Sequence, residues 1–457
     1  MPFLPLMVGI PIEDCETSER VLRDIRTTIA QLINETFFPT LAEQAKRWGC
    51  KLSTESVAPT MVSDGMAHHR YADIPMGEFW LNSPTHDKPN DMLDAISGGH
   101  IYGKQIIQAE GFSELRGIFN EVPAQLKPLL DKQFCIGMNR LAFHVMTHNP
   151  DPSKKPGMTL NGIGLFFQQS QPWWQEGKSM VDYITRCQRL LQMGRPVVDI
   201  AVYTGHEMPR RAILPDRLQP LPGYHYDSFN YDALINPCES PFRPDYKVLL
   251  LPGARKLDPD HQPLPTDALS AIERLKNKGI KVVERELTTA QLDDMGLVAD
   301  AMLPTEVLFA HRSLSQSEIY FIANQQNKAR HISALLRDHR NLPAVVYYPL
   351  ENTYHPIRYN LSNNKQAMIE IDLPAHGSCF VMFGRTEGQL DNQRREVASM
   401  PLSPTAPYLL YFEENGMKVS SDTLPDWSQQ DNDSIRYYSG RVRYSFDFKF
   451  KPLLKKT

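Results

Sequence analysis

Residues 105–115 read QIIQAEGFSEL. Two isoleucines and an alanine give this run the β-branched, apolar character of a buried strand, yet it stops on a lone carboxylate, Glu110, followed at once by Gly111. The stretch before it, DMLDAISGGHIYG (91–103), has helical spacing and a glycine stop. The stretch after it, QLKPLLDKQFCIGMN (125–139), is again helical and leads into RLAFHVMTH (140–148), a further strand. A helix between successive strands means parallel neighbours, because parallel pairing needs a long crossover. A strand of a parallel sheet that ends on an acid delivers that acid to the C-terminal rim, where the βα loops enclose a pocket.

The same alternation extends in both directions. Upstream, ERVLRDIRTTIAQLINETFFPTLAEQAKRWG (19–49) places Val21, Ile25, Ile29 and Leu32 on one helical stripe, with Gly49 as the residue past the helix end. CKLSTESV (50–57) follows as a short strand closing on Glu55. Downstream, SMVDYITRCQRLLQMG (179–194) is a helix before the strand VVDIAVYT (197–204). From 197 to 304 the continuous apolar run YKVLLLPG, the helix TDALSAIERLKNKG and the strand IKVVE predict a flavodoxin-like, doubly wound α/β domain. LLLPG has no GxGxxG context and no GK[ST], so nothing there points to a nucleotide. Over 305–457 helices largely vanish: VLFAHRS, EIYFIANQ, AVVYYPL, AMIEIDLP, SCFVMFG and YLLYFEE are short strands between polar turns, which predicts a β-sandwich. The tail KFKPLLKKT reads equally as a loose end or a last strand.

Bulk properties narrow the function classes. A chain of 457 residues holds two to four domains at roughly 100–200 residues each. A formal charge of −4 and a pI near 6.4 provide no basic excess for a nucleic-acid backbone, which favours a neutral ligand. Six scattered cysteines, without a CxxC pair, signal neither a disulfide framework nor a zinc site. No apolar run approaches the roughly 18–20 residues of a spanning helix, and the first twenty residues lack the layout of a signal peptide.

Two strand-end carboxylates on one rim, Glu55 and Glu110, are what glycoside hydrolysis requires: one protonates the leaving oxygen and the other activates water or attacks the sugar. Each reads equally as a solvated loop acid. His144 and His148, four apart in FHVMTH, fall on one face if the strand runs through both; they read as donors to sugar hydroxyls, as zinc ligands lacking a third partner, or as satisfied core histidines. Trp173 and Trp174 stand at the start of a helix, either stacking on a sugar face or packing the outer layer. Asp64, Asp73 and Glu78 are assigned to a long polar loop, where substrate or calcium ligands could sit. Glu207 and Asp227 rank lower, in segments that pack domains together near the site.

Taken together, TESVAPT, YADIPMGEFW, SGGHIYGKQIIQAEGFSEL, GMNRLAFHVMTHNP, PGMTLNGIGLFFQQSQPWW and YITRCQRLLQMGRPVVDIAVYTGHEMP resemble, in order and spacing over about 15–210, the catalytic region of glycoside hydrolase family 106 and related α-L-rhamnosidase-like proteins. The resemblance implies a (β/α)8 TIM-like barrel at the bacterial cell envelope or periplasm, hydrolysis of rhamnosides in plant polysaccharides with inversion, and a calcium ion that helps hold the sugar. It implies that Glu55 matches the family's strand-end glutamate in an AEP-like motif, as general acid, and that Glu110 matches the one in AEAF, as base. TESVAPT departs from that pattern by carrying Ser56 and Val57 after the glutamate. Only four or five barrel strands precede residue 205, so 1–196 is expected to be a partial barrel whose N-terminal half comes from elsewhere in a longer protein or from a partner.

Overall fold

The computed structural model describes residues 2–57, 63–115, 119–151, 153–154, 156–251, 263–384 and 404–449. The chain divides into two compact units, Met1–Gln168 with Gly177–Gln393, and Gln169–Glu176 with Arg394–Thr457.

The first unit opens with α1 (Cys15–Leu32), capped by the Asp14 carboxylate on Thr17 N, and α2 (Phe38–Arg47), after which Gly49 takes a left-handed φ of 68°. Four parallel strands follow, β1 (Ser53–Glu55), β2 (Ile74–Trp80), β3 (Gln108–Ser113) and β4 (Arg140–Phe143), hydrogen-bonded in sequence order. Helix α3 (Pro89–Ile101) connects β2 to β3, and α4 (Pro123–Ile136) connects β3 to β4. The parallel sheet read from the sequence is thus present. IPMGEFW, whose Glu78 the sequence places in a long polar loop, is instead β2. Its alternation of burial sends Pro75, Gly77 and Phe79 toward the helices and Met76, Glu78 and Trp80 to the opposite face. Gly77 is required there, since a Cβ would stand 2.4 Å from the Asp91 carbonyl oxygen of α3.

Helix α5 (Lys178–Leu191) packs against a six-stranded antiparallel sheet. That sheet has the order β15 (Thr353–Ile357), β14 (Ala344–Tyr348), β18 (Ser378–Phe383), β12 (Glu318–Asn324), β11 (Val307–Ser313) and β5 (Arg195–Pro196). It is covered on both faces. On one side α4 and α5 contribute Leu126, Leu130, Phe134, Tyr183 and Cys187 to a core that takes in Phe321, Phe380 and Met382. On the other side the smaller antiparallel sheet β10 (Ala301–Met302), β13 (Arg330–Leu336), β17 (Ala367–Leu373) and β16 (Asn360–Leu361) closes a second core with Tyr320, Ile322, Val346 and Val381. Two-sided cover explains why EIYFIAN, AVVYY and SCFVMF are continuous apolar runs, whereas β17 alternates.

Between these parts lies a four-stranded parallel sheet in the order β7 (Tyr226–Phe229), β6 (Ile200–Tyr203), β8 (Val248–Leu251) and β9 (Lys281–Glu284). Helices α6 (Tyr231–Ile235) and α7 (Thr266–Asn277) flank it, and α8 (Thr289–Asp294) follows β9. The Pro-Gly turn read after β8 lies outside the described residues. So does the tail from 450 onward.

The second unit holds a three-stranded antiparallel sheet, β20 (Lys418–Ser421), β19 (Pro404–Phe412) and β21 (Val442–Phe448), with a small core of Leu410, Phe412 and Ile435, the last on α9 (Asp433–Arg436). The expected single domain over 305–457 therefore joins strands that the structure places in two units.

Candidate active site

Register brings three glutamates together. In the β1–β2 ladder Glu55 pairs with Met76, two residues before Glu78, and in the β2–β3 ladder Glu78 pairs directly with Glu110. All three project from the same face near the C-terminal ends of adjacent parallel strands, and one carboxylate oxygen from each lies within 4.8 Å of the others. Glu78 is not a solvated loop acid but the middle member of this cluster.

Like charges this close, half removed from water, raise the cost of ionisation. Glu55 is pushed up to about 7, first by burial and then by Glu110, Glu78 and Asp91. Its Oε1 is buried and has no hydrogen-bond partner among the described residues. Glu78 is also raised, chiefly by burial, although Trp80 Nε1 donates to its Oε1 at 2.8 Å and works against the shift. Glu110 Oε1 accepts from Ser113 Oγ at 2.8 Å and stands 3.8 Å from His144 Nε2. The cluster thus contains a carboxyl that keeps its proton near neutrality beside one oriented by a hydroxyl and an imidazole.

The backbone around Glu110 is shaped for this delivery. The run does not stop at Glu110, since β3 continues through Gly111 to Ser113. A Cβ on Gly111 would lie 2.3 Å from Leu141 Cδ1 and 2.5 Å from Phe79 Cζ, so the glycine serves close packing. The bend falls on Phe112, fully buried with φ 65°, where the β2–β3 register slips and Trp80 pairs with Ser113. At the end of β1, Ser56 is fully buried and its Oγ donates to Asp94 Oδ2 at 3.2 Å. Asp94 also accepts from Ala212 N at 2.6 Å and from Arg211, which reaches Asp91 Oδ1 at 2.6 Å, so a buried ion network fixes the rim behind Glu55. The serine after the glutamate, a departure at sequence level, is here a bonded anchor.

The remaining candidates separate. Strand β4 ends at Phe143, so period-two alternation does not extend through both histidines: His144 lies against Glu110, whereas His148 is exposed in the following loop. Trp173 and Trp174 belong to Gln169–Glu176 of the second unit, in turns before α5. Asp64 is buried and accepts from Met66 N at 2.8 Å, and Asp73 accepts from Leu52 N at 2.8 Å, so both hold loop backbone. Asp227 accepts from His100 Nδ1 and Tyr246 at 2.9 and 2.8 Å, and Glu207 pairs with Arg210, as packing contacts. Sequence reasoning passed over Trp80 and Ser113. Alternation in IPMGEFW was the available signal for the first; nothing local marked the second.

Three carboxylate oxygens no more than 4.8 Å apart match the reach of one hard cation, whose oxygen ligands sit roughly 2.3–2.6 Å from a calcium ion. No nitrogen or sulfur donor joins them in that group, so the set suits calcium better than zinc. A second group, Asp300, His311 and Asp338, is a salt-bridge network: His311 donates from Nδ1 to Asp300 at 2.9 Å and from Nε2 to Glu318 at 3.2 Å.

The fold is shared with a solved rhamnosidase from Novosphingobium sp. PP1Y, at a TM-score of 0.79 and 24% identity over 97% of this chain and 48% of that one. A Formosa agariphila protein named "Putative beta-glucuronidase" is 26% identical over 461 aligned residues, covering 91% of this chain and 38% of the relative. The chain thus spans less than half the length of either. The sequence model of the family described as alpha-L-rhamnosidase matches residues 1–291, more than half of the chain, and the protein belongs to that family, glycoside hydrolase family 106.

Proposed function

We propose that the protein is a glycoside hydrolase acting on α-L-rhamnosides of plant-type polysaccharides, with Glu55 as general acid and Glu110 as base. The observation that carries this is the grouping of the two strand-end acids: burial and the neighbouring carboxylates push Glu55 up to about 7, which suits a group that gives a proton to the leaving oxygen, while Glu110, accepting from Ser113 and 3.8 Å from His144, is placed to take one from water. Trp80, fixed through its indole N–H to Glu78, offers an apolar face beside the acids for the sugar ring. With Glu55 keeping its proton, Glu78 and an oxygen of Glu110 are the protein ligands left for a calcium ion, which would bind sugar hydroxyls and offset the negative charge.

The inverting course implied by the family needs roughly 6.5–9.5 Å between the carboxyls, and a retaining course about 5–5.5 Å. Proton NMR of the first-formed anomer decides between them. The architecture we propose is a partial (β/α)8 barrel over 1–196, a flavodoxin-like domain over 197–304 and a β-sandwich built from the strands of 307–383. Edge strand β1 and the apolar residues left exposed on and beside α1 and α2, among them Leu32, Phe37 and Trp48, suit the other half of a barrel as partner.

The test is hydrolysis of p-nitrophenyl α-L-rhamnopyranoside and of the β-glucuronide, by the chain and by the full-length gene product. Rhamnoside cleavage lost in Glu110→Gln and Glu55→Gln supports the reading. Cleavage of the glucuronide alone, or rhamnoside activity surviving both substitutions, overturns it.

A further inference from the structure

We propose that the cavity beside the N-terminal ends of β8 and β9 is a binding site for a small organic anion with a flat apolar body, independent of the glutamate cluster. It encloses about 450 Å³, within the roughly 300–1,000 Å³ usual for small-ligand sites, and no residue of the cluster lines it. Its floor is apolar: Phe229, Leu234, Tyr246, Leu249, Leu275 and Ile280. Its rim is cationic, with Arg243, Lys247, Arg274, Lys278 and Lys281 against one acid, Asp245, whose carboxylate is engaged by Lys247. The other four cations have no ion-pair partner among the described residues. In a chain of net charge −4 that is a local reversal of sign.

Arg243 carries the argument furthest. Its guanidinium lies 5.7 Å from the centre of the Phe229 ring and 5.5 Å from that of Tyr246, which holds the planar group at the cavity wall. Its Nε is shielded from solvent and has no hydrogen-bond acceptor among the described residues. Among the described residues no carboxylate pairs with this guanidinium, and its terminal N–H groups suit the two oxygens of a carboxylate held in the cavity. The apolar floor disfavours a bare inorganic anion, which would stay hydrated, and the cations disfavour a neutral ring. An aromatic carboxylate satisfies both halves, with its ring against Tyr246 and Phe229 and its charge toward Arg243 and the rim.

The experiment is calorimetric titration of the intact chain with 2-naphthoate, with 2-naphthalenemethanol as the neutral isostere and inorganic phosphate as the bare anion. Binding of the naphthoate roughly tenfold or more tighter than either control is expected, weakening as salt is raised. The exposed double substitution Arg274→Gln/Lys278→Gln, which leaves the floor intact, should weaken naphthoate about fivefold or more, and Arg243→Gln should do so further. Acid and alcohol binding alike, phosphate binding as well as naphthoate, unchanged affinity in the double variant, or no binding at all would each overturn the proposal.

Discussion

Glu55→Gln is expected to abolish hydrolysis and stabilise the protein, and the second effect can be sized. Glu55 binds its proton more tightly folded than unfolded, with a folded pKa of about 7 against 4.5. Below the unfolded value the group is neutral in both states and costs nothing. From 4.5 up to about 7 the unfolded state ionises while burial and the neighbouring Glu110, Glu78 and Asp91 keep the proton on the folded one, so stability falls across that window and is level above it. At about 1.4 kcal/mol per pH unit the rise corresponds to some 3 kcal/mol, and discounting for the solvent-exposed part of the group leaves about 1–2 kcal/mol. Glutamine keeps the shape and removes the charge. Urea unfolding followed by circular dichroism should therefore show Glu55→Gln more stable than the parent by about 1–2 kcal/mol at pH 8, with the gap mostly closed at pH 5. A variant less stable at pH 8, or a gap equal at both pH values, would refute the account of a strained acid. The trade is familiar for active sites, where function is held at the expense of stability.

Other outcomes follow from other contacts. Trp80→Phe keeps an aromatic face but removes the N–H to Glu78, so KM for the rhamnoside should change less than kcat, whereas Trp80→Ala should raise KM; steady-state kinetics of the pair decides it. His311 is raised to about 9 by Asp300 and Glu318 against the pull of burial, so its contribution, about 3 kcal/mol, is complete below 6.5 and lost as pH rises through 9. His311→Gln should accordingly be least stable relative to the parent near pH 6, with the difference vanishing by about pH 10. Phe321→Ala empties a site where Phe134 and Phe380 meet the ring at 6.0 and 4.9 Å and should cost about 3–5 kcal/mol in urea unfolding. Calcium should raise the thermal midpoint, less so at low pH where protons compete for the same carboxylates, and Glu78→Gln should remove most of the effect.

Much of this was legible in the residues, for reasons that differ from element to element. Parallel βα units announce themselves because helix and strand periods alternate, which is how β1, β3 and β4 were found and how Glu55 and Glu110 came to share a rim. Strand β2 escaped because IPMGEFW carries a proline, a glycine and an acid: its outward positions face a tightly packed helix and its inward positions face a polar site, so neither side reads as a plain strand. That one misreading also displaced Glu78 and hid Trp80. Strand β13, RHISALL, alternates exposed His331 and Ser333 with buried Ile332, Ala334 and Leu336, a period-two signal that its basic start and two polar positions keep weak. Spacing alone does not say where a strand stops, so His144 and His148 look equivalent in the residues although β4 ends at Phe143 and only His144 adjoins Glu110.

The position of β18 decides when the six-stranded sheet can exist at all. It pairs with β12 on one side and β14 on the other, so it is central in space although it is the last of the six to leave the ribosome. Until then the nascent chain holds two separate hairpins, β11–β12 and β14–β15, each with one apolar edge unpaired. Such edges recruit other chains. A message truncated before residue 378 thus leaves the edges of β12 and β14 without their native partner, and one that includes SCFVMF supplies the strand that joins both hairpins.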